Sequence, residues 1–256
     1  MDLSFAALST LALAVTIGSA VQAATGFGFA ILAAPVFLAV LQSTATVPIL
    51  VALHVVQCLI LVPKIWSGIP WPEFNRLAIG ALFGCPAGLL LFRMLDVRQL
   101  KLGVGLVILL VTALLAWRQF RSSRVTASLI KAEPRRGTAV TRIVTGGFSG
   151  VLTAVLVMPG PPLMVNLLRD PLPAASARAL SIGFFAACYV AVLAVHLASG
   201  ELDAAAGSIV GWLALPVLLG TVGGLLGSRW LQDRHYAPIM TALLLAAGLG
   251  AILSAL

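Results

Sequence analysis

The feature that most constrains this chain is a glycine-rich interruption inside a long apolar run, Gly26-Phe27-Gly28-Phe29-Ala30-Ile31-Leu32-Ala33-Ala34-Pro35. A second stands in the other half, Gly146-Gly147-Phe148-Ser149-Gly150 followed by Met158-Pro159-Gly160-Pro161-Pro162. Glycine favours helix poorly and proline lacks an amide donor, so both segments read as broken helices. Lipid cannot satisfy the freed backbone groups, so such breaks persist only against protein or a watered cavity. One break in each half is the pattern that marks a solute site in secondary transporters.

The runs around the breaks belong to a membrane. Charged residues make up 9% of the 256 positions, against about 25% in soluble domains. All eight acidic residues fall outside the long apolar stretches, and the sixteen Lys and Arg fall outside them or near their ends. The formal charge of +8 therefore belongs to loops, where it orients helices and meets anionic headgroups. No basic stripe is interleaved with stacking aromatics, which argues against a nucleic-acid partner. Cys58, Cys85 and Cys188 are scattered one to a segment and read as small core residues, with neither disulfide nor metal spacing. The N-terminal run lacks a positive n-region and is too long for a cleaved signal, so it is expected to stay as structure.

The expected fold is all-α and polytopic. Segments of membrane-crossing length are 3–41 and 139–168, both interrupted, together with 45–63, 77–95, 100–117, 179–199, 204–231 and 236–256. Pro63, Pro70 and Pro72 punctuate the second connection, with Trp66 and Trp71 as interfacial anchors. A basic connection divides the chain into a first membrane repeat, 1–117, a linker, 118–138, and a second repeat, 139–256. Gly84, Gly88 and Arg93 recur with the same intervals as Gly220, Gly224 and Arg229, and Gly26 to Pro35 is spaced as Gly150 to Pro159. Glycines four apart suit close helix packing. Small-residue faces at Gly103, Gly105, Gly248 and Gly250 suit either internal packing or a homodimer.

Charge argues for the orientation of the halves. If each interrupted segment crosses once, the basic residues divide nine against seven. If 139–168 is a hairpin returning to its own side, they divide thirteen against three, with Glu201 and Asp203 on the poor side. The positive-inside rule favours the second arrangement. By repeat symmetry 3–41 is then also a hairpin, and the halves are inverted.

Few polar groups stand in the apolar segments. Gln22, Thr25 and the amides of Gly26 to Phe29 surround the first break; Ser149, Thr153, Gly160 and Asn166 surround the second. Two helix N-termini, at Gly26–Phe29 and Gly150–Thr153, would bind an anion without a buried cation. Equally, Gln22, Thr25 and Asn166 would satisfy backbone groups freed by the glycines. His54 is the ionisable group deepest in an apolar stretch, suited to a proton step or to a neutral interhelical bond. His196 reads as interfacial. Arg178 is expected to snorkel to headgroups or to reach an anion at the mouth of the site. No catalytic motif occurs, and no core carboxylate could serve as a base, so an enzyme is not expected. No cofactor or metal is implied.

At the two breaks the sequence resembles the sulfite exporter TauE/SafE family. The resemblance rests on Gly26-Phe27-Gly28 leading to Ala34-Pro35 and on Gly147-Phe148-Ser149-Gly150 leading to Pro159-Gly160-Pro161-Pro162. Leu172-Pro173 followed by Ala177-Arg178-Ala179-Leu180-Ser181, and the basic middle linker, extend it over essentially the whole chain. It implies export or facilitated movement of a small sulfur-containing anion, sulfite or an organosulfonate, across the bacterial cytoplasmic membrane. By matched positions it implies Gly26, Gly28, Pro35, Gly150 and Pro159 as site residues. Val157-Met158-Pro159-Gly160-Pro161-Pro162 departs from the glycine-richer run of the family and puts the particular substrate in question. The rival readings are a channel-like pore for a neutral or cationic solute and a non-transporting scaffold subunit.

Overall fold

The computed structural model describes residues 4–122 and 138–227, and among these every long element is helical. The helices are α1 (Phe5–Thr25), α2 (Phe29–Leu41), α3 (Thr46–Ile65), α4 (Trp71–Phe92), α5 (Val97–Ser122), α6 (Ala139–Leu156), α7 (Gly160–Arg169), α8 (Ala174–Ala198) and α9 (Ala204–Gly227). Six of them, α1, α3, α4, α6, α8 and α9, are long and apolar enough to cross a membrane. Large apolar side chains such as Leu59, Leu82, Phe83, Phe148 and Trp212 point outward, while Gln22, His54, Gln57, Ser149 and Thr153 are buried. That inversion of the usual pattern suits a bundle solvated by lipid. Most of the linker and the segment 236–256 lie outside the described residues, as do Arg229, Arg234, Gly248 and Gly250.

Several boundaries differ from the expected ones. Pro63 is inside α3, and Pro72 is in the first turn of α4, where its missing amide costs nothing. α4 therefore starts at Trp71, and its polar first turns are used: Glu73 pairs with Arg142 at 3.0 Å. α8 starts at Ala174, which places Arg178 within the helix.

Both interrupted segments are hairpins. In the first, the backbone of Gly18 packs on that of Phe29. In the second, Arg142 near the start of α6 is ion-paired with Asp170, the C-cap of α7. A single crossing is incompatible with that pair. The connections after α2, α4 and α8 gather at one end, where Ser43, Thr44, Arg93 and Glu201 line a cavity of about 320 Å³. Arg93 pairs there with Glu201 at 3.1 Å. Glu73, Arg142 and Asp170 mark the other end. The α1–α2 hairpin opens toward the Glu201 end and the α6–α7 hairpin toward the Arg142 end, so the two enter the bundle from opposite sides.

Gly146, Gly147 and Gly150 do not break a helix; they lie in the middle of α6. Packing overrides their poor propensity, because they interlock with Gly80, Gly84 and Gly88 of α4. A Cβ on Gly84 would lie 2.1 Å from the Gly147 carbonyl oxygen, and one on Gly146 would lie 2.0 Å from that of Leu77. On the far side of the molecule Gly220 and Gly224 of α9 close in the same way on Thr16 and Ala20 of α1. Each glycine helix thus packs on the leading helix of the other half. Gly26 and Gly150, matched by spacing in the sequence, are not matched in structure: one is at a break and the other is mid-helix. Gly103 packs internally, on Leu156.

Gly84→Ala is expected to lower the thermal midpoint of the detergent-solubilised protein, at a cost of about 1–3 kcal/mol or more from overpacking. Gly211, where an added Cβ would meet nothing within 4 Å, should accept alanine with no loss. Parallel melting curves of the two variants check this.

Candidate substrate site

At the first break α1 stops because Gly26 turns left-handed, φ 88°, its amide donating to the Gln22 carbonyl at 2.7 Å. Gly28 follows at φ 116°, which side chains rarely tolerate. The Phe29 amide, first in α2, donates to Gln22 Oε1 at 3.2 Å. Thr25 Oγ1 donates toward the carbonyls of Val21 and Phe27 and accepts from the Phe27 amide. Gln22 and Thr25 therefore complete the turn, the second of the two roles open to them. The α2 ladder begins with the Leu32 amide to the Gly28 carbonyl. The amides of Ala30 and Ile31 precede it and have no intrahelical acceptor. Pro35 does not close the break; it is buried within α2 and deprives the Ile31 carbonyl of its helical donor.

The second break is at Val157–Pro159 rather than in the glycine run. Val157 is left-handed at φ 61°, its amide donating to the Thr153 carbonyl at 2.9 Å. For a β-branched residue this is strained backbone, costing on the order of 1–2 kcal/mol. The Gly150–Thr153 amides belong to the α6 interior and are not free donors. Pro159, Pro161 and Pro162 remove three amides from the start of α7, leaving that of Gly160. The anion-binding capacity expected of two helix termini is thus concentrated at α2. Ser149 is wholly buried with no partner for its Oγ, Thr153 donates to the Ser149 carbonyl at 2.6 Å, and Asn166 donates to Thr145 toward the Arg142 end.

The breaks meet at Phe27, whose ring lies against Gly160 and edge-on to Phe185 at 5.4 Å. Beside them His54 is enclosed between Phe29, at 4.0 Å between ring centres, and Tyr189, at 4.2 Å. Tyr189 in turn donates its hydroxyl to the Val157 carbonyl at 3.3 Å. One aromatic stack therefore joins the first residue of α2 to the strained residue of the second break. His54 Nδ1 lies 2.9 Å from the Leu50 carbonyl, which can only accept, so Nδ1 carries the proton. Nε2 is left as a buried lone pair with no partner. Gln57, one turn on, donates to the Ser19 carbonyl at 2.9 Å and leaves its Oε1 unpartnered.

Gln57 and Tyr189 were not singled out from the sequence. Gln57 stands three residues after His54, which puts it on the same helix face, whereas nothing in the sequence ties Tyr189 to His54. Gly150, Pro35 and Asn166 lie away from the junction. Arg178 lies at the first break, where its guanidinium donates to the Ala23 carbonyl and its Cγ packs on Gly26. A cation there suits the C-terminal end of α1. His196 is wholly buried at the opposite end of the bundle, its Nδ1 on Glu201.

The family model of the sulfite exporter TauE/SafE matches residues 11–251. The chain belongs to the sulfite exporter TauE/SafE family. Membership makes it a multi-pass membrane transporter of the sulfite and sulfonate type, in agreement with its six crossing-length helices. No curated protein and no solved structure matches it. In this TauE/SafE chain the glycines and prolines singled out from the sequence divide between two jobs: Gly26, Gly28 and Pro159 form the breaks, while Gly150 seats α6 on α4.

Gln22→Leu keeps the side-chain volume but strands the buried Phe29 amide. The expected cost is about 1–3 kcal/mol, read as a lowered thermal midpoint in detergent. An unchanged midpoint would mean that the turn finds another donor–acceptor arrangement.

Proposed function

We propose that the chain moves a small oxyanion, sulfite or an organosulfonate, across the bacterial inner membrane by alternating access. The observation that carries this reading is the meeting of two broken hairpins, entering from opposite ends, at Phe27 and Gly160. The anion is seated at the start of α2. Its Ala30 and Ile31 amides, with the helix dipole behind them, supply roughly half a positive charge. Gly28 lets the backbone approach without a Cβ, and Gly160 adds the one free amide of α7. Small conformational steps at the two glycines and at Val157 rock the hairpins against the glycine-packed helices.

The two halves act as inverted repeats. The ion pairs Arg93–Glu201 at one end and Glu73–Arg142–Asp170 at the other serve as alternate closures. The Arg142 end, where α6 begins at Ala139, faces the cytoplasm by the positive-inside rule. The low count of polar groups favours an anion held by backbone donors over a cation, which would need carbonyls or carboxylates turned inward.

Gly28→Val tests the seat directly. It adds a β-branched side chain at φ 116° with Val21 Cγ1 2.9 Å from the new Cβ. A penalty of about 1.4 kcal/mol or more on the competent turn lowers transport at least about tenfold. The measurement is uptake of radiolabelled methanesulfonate into proteoliposomes, normalised to inserted protein, with Gly211→Ala as the control. Uptake at the unaltered rate would reject the seat.

A further inference from the structure

A permanent cation, Arg178, stands at the first break, but the Ala23 carbonyl engages its guanidinium. Deeper in, His54 Nε2 and Gln57 Oε1 are lone pairs on one face of α3, one turn apart, both buried and both without a donor. Beside the neutral imidazole these two side-chain atoms offer a sulfonate no donor. Protonation of Nε2 reverses this: the ring becomes a donor and a cation next to the start of α2.

The surroundings suit that cation. Phe29 and Tyr189 present rings at 4.0 and 4.2 Å on either side, well inside cation–π range. The Leu50 carbonyl already accepts from Nδ1 and continues to do so in the charged form. The titratable groups facing this place are Tyr189 with its neighbour Cys188 from α8 and Cys58 from α3 itself. α2 brings Phe29 and α1 brings Ser19 and Gln22. α9, packed on α3, has no ionisable residue over its described length. Among the described residues, His54 is thus the group at the junction that is able to become a cation.

We propose that His54 is the proton-coupling residue of this transporter, its imidazolium forming the counter-charge with which each sulfonate crosses. This rests on the proposed anion site at the start of α2. The balance is simple: neutral His54 takes one proton from the side of entry, pairs with one sulfonate, and releases both on the other side, so the loaded site carries no net charge. A lone anion in a dry interior is expensive, whereas a pair in contact is tolerated. Binding of the two is reciprocal, the anion strengthening proton binding and the proton strengthening anion binding. Apparent affinity therefore weakens as pH rises, by up to about tenfold per unit between the pH at which the empty imidazole loses its proton and the higher pH at which the loaded one does.

The test uses proteoliposomes of the full chain and methanesulfonate, whose own acid is too strong to carry a proton at these pH values. Tracer uptake reports the anion, and a trapped pH dye reports the proton. The expected result is about one proton per sulfonate, with uptake unaffected by an imposed potassium diffusion potential. In His54→Gln the proton signal disappears, the pH dependence of apparent affinity flattens and any remaining uptake responds to the potential. His196→Gln keeps the wild-type ratio.

If His54→Gln does not insert, ¹⁵N chemical shifts of the wild-type imidazole with and without methanesulfonate read the same protonation. Gain of a proton on Nε2 with ligand supports the proposal, and an unchanged neutral ring overturns it. Tracer uptake without proton movement, or coupling that survives His54→Gln, also overturns it. Absence of any methanesulfonate uptake would instead reject the anion site on which it rests.

Discussion

Away from water, a helix can be broken only where other groups complete its backbone bonds, and much of this molecule follows from how two breaks meet that demand. At the first, Gln22 and Thr25 supply the missing partners from the turn itself. At the second, Thr153 and Leu152 accept from the turn amides, Tyr189 donates to the strained carbonyl, and three prolines remove amides that would otherwise be orphaned. The two solutions differ in what they leave over. The start of α2 keeps unspent donors, whereas the start of α7 keeps almost none. That asymmetry is the reason for proposing the anion on the first hairpin although both hairpins reach the centre.

A frame stiff enough to hold two such hairpins is made from residues with almost no side chain. Where Gly84 meets Gly147, and Gly220 meets Thr16, backbone touches backbone. Without a hydrophobic drive between helices in lipid, such close approach is the available source of cohesion. The pattern crosses the halves: the glycine helix of each clasps the leading helix of the other.

Much of this was legible in the sequence, and the failures have identifiable causes. The apolar segments and the hairpin character of both interrupted runs followed from length and from the placement of Lys and Arg. The first break was visible because Gly26 and Gly28 have no packing role strong enough to keep the helix straight. The second was misplaced because a glycine run reads identically whether it ends a helix or seats it against a neighbour; only the α4 partner tells Gly146 to Gly150 apart from Gly26 to Gly28. The role of Val157 carried no signal at all, since valine is the residue least expected at a left-handed turn. Tyr189 matters through its distance to His54, and such proximity across helices is invisible in one sequence. The partner of Arg178 was hidden for a related reason: the Ala23 carbonyl is a backbone atom 155 residues away.

In the proposed site, charge is bound by geometry: helix-terminal amides would supply a partial positive charge that does not move, and the buried imidazole one that can be switched. Arg93 and Arg142 stay at the two ends, each paired with carboxylates, and Arg178 at the first break is engaged by the Ala23 carbonyl. The most direct test of this account is a cryo-EM map of the full chain equilibrated with an organosulfonate. The account requires oxyanion density at the Ala30 and Ile31 amides, between Phe27 and His54. Density seated on Arg93 or Arg142 with an empty junction would contradict it.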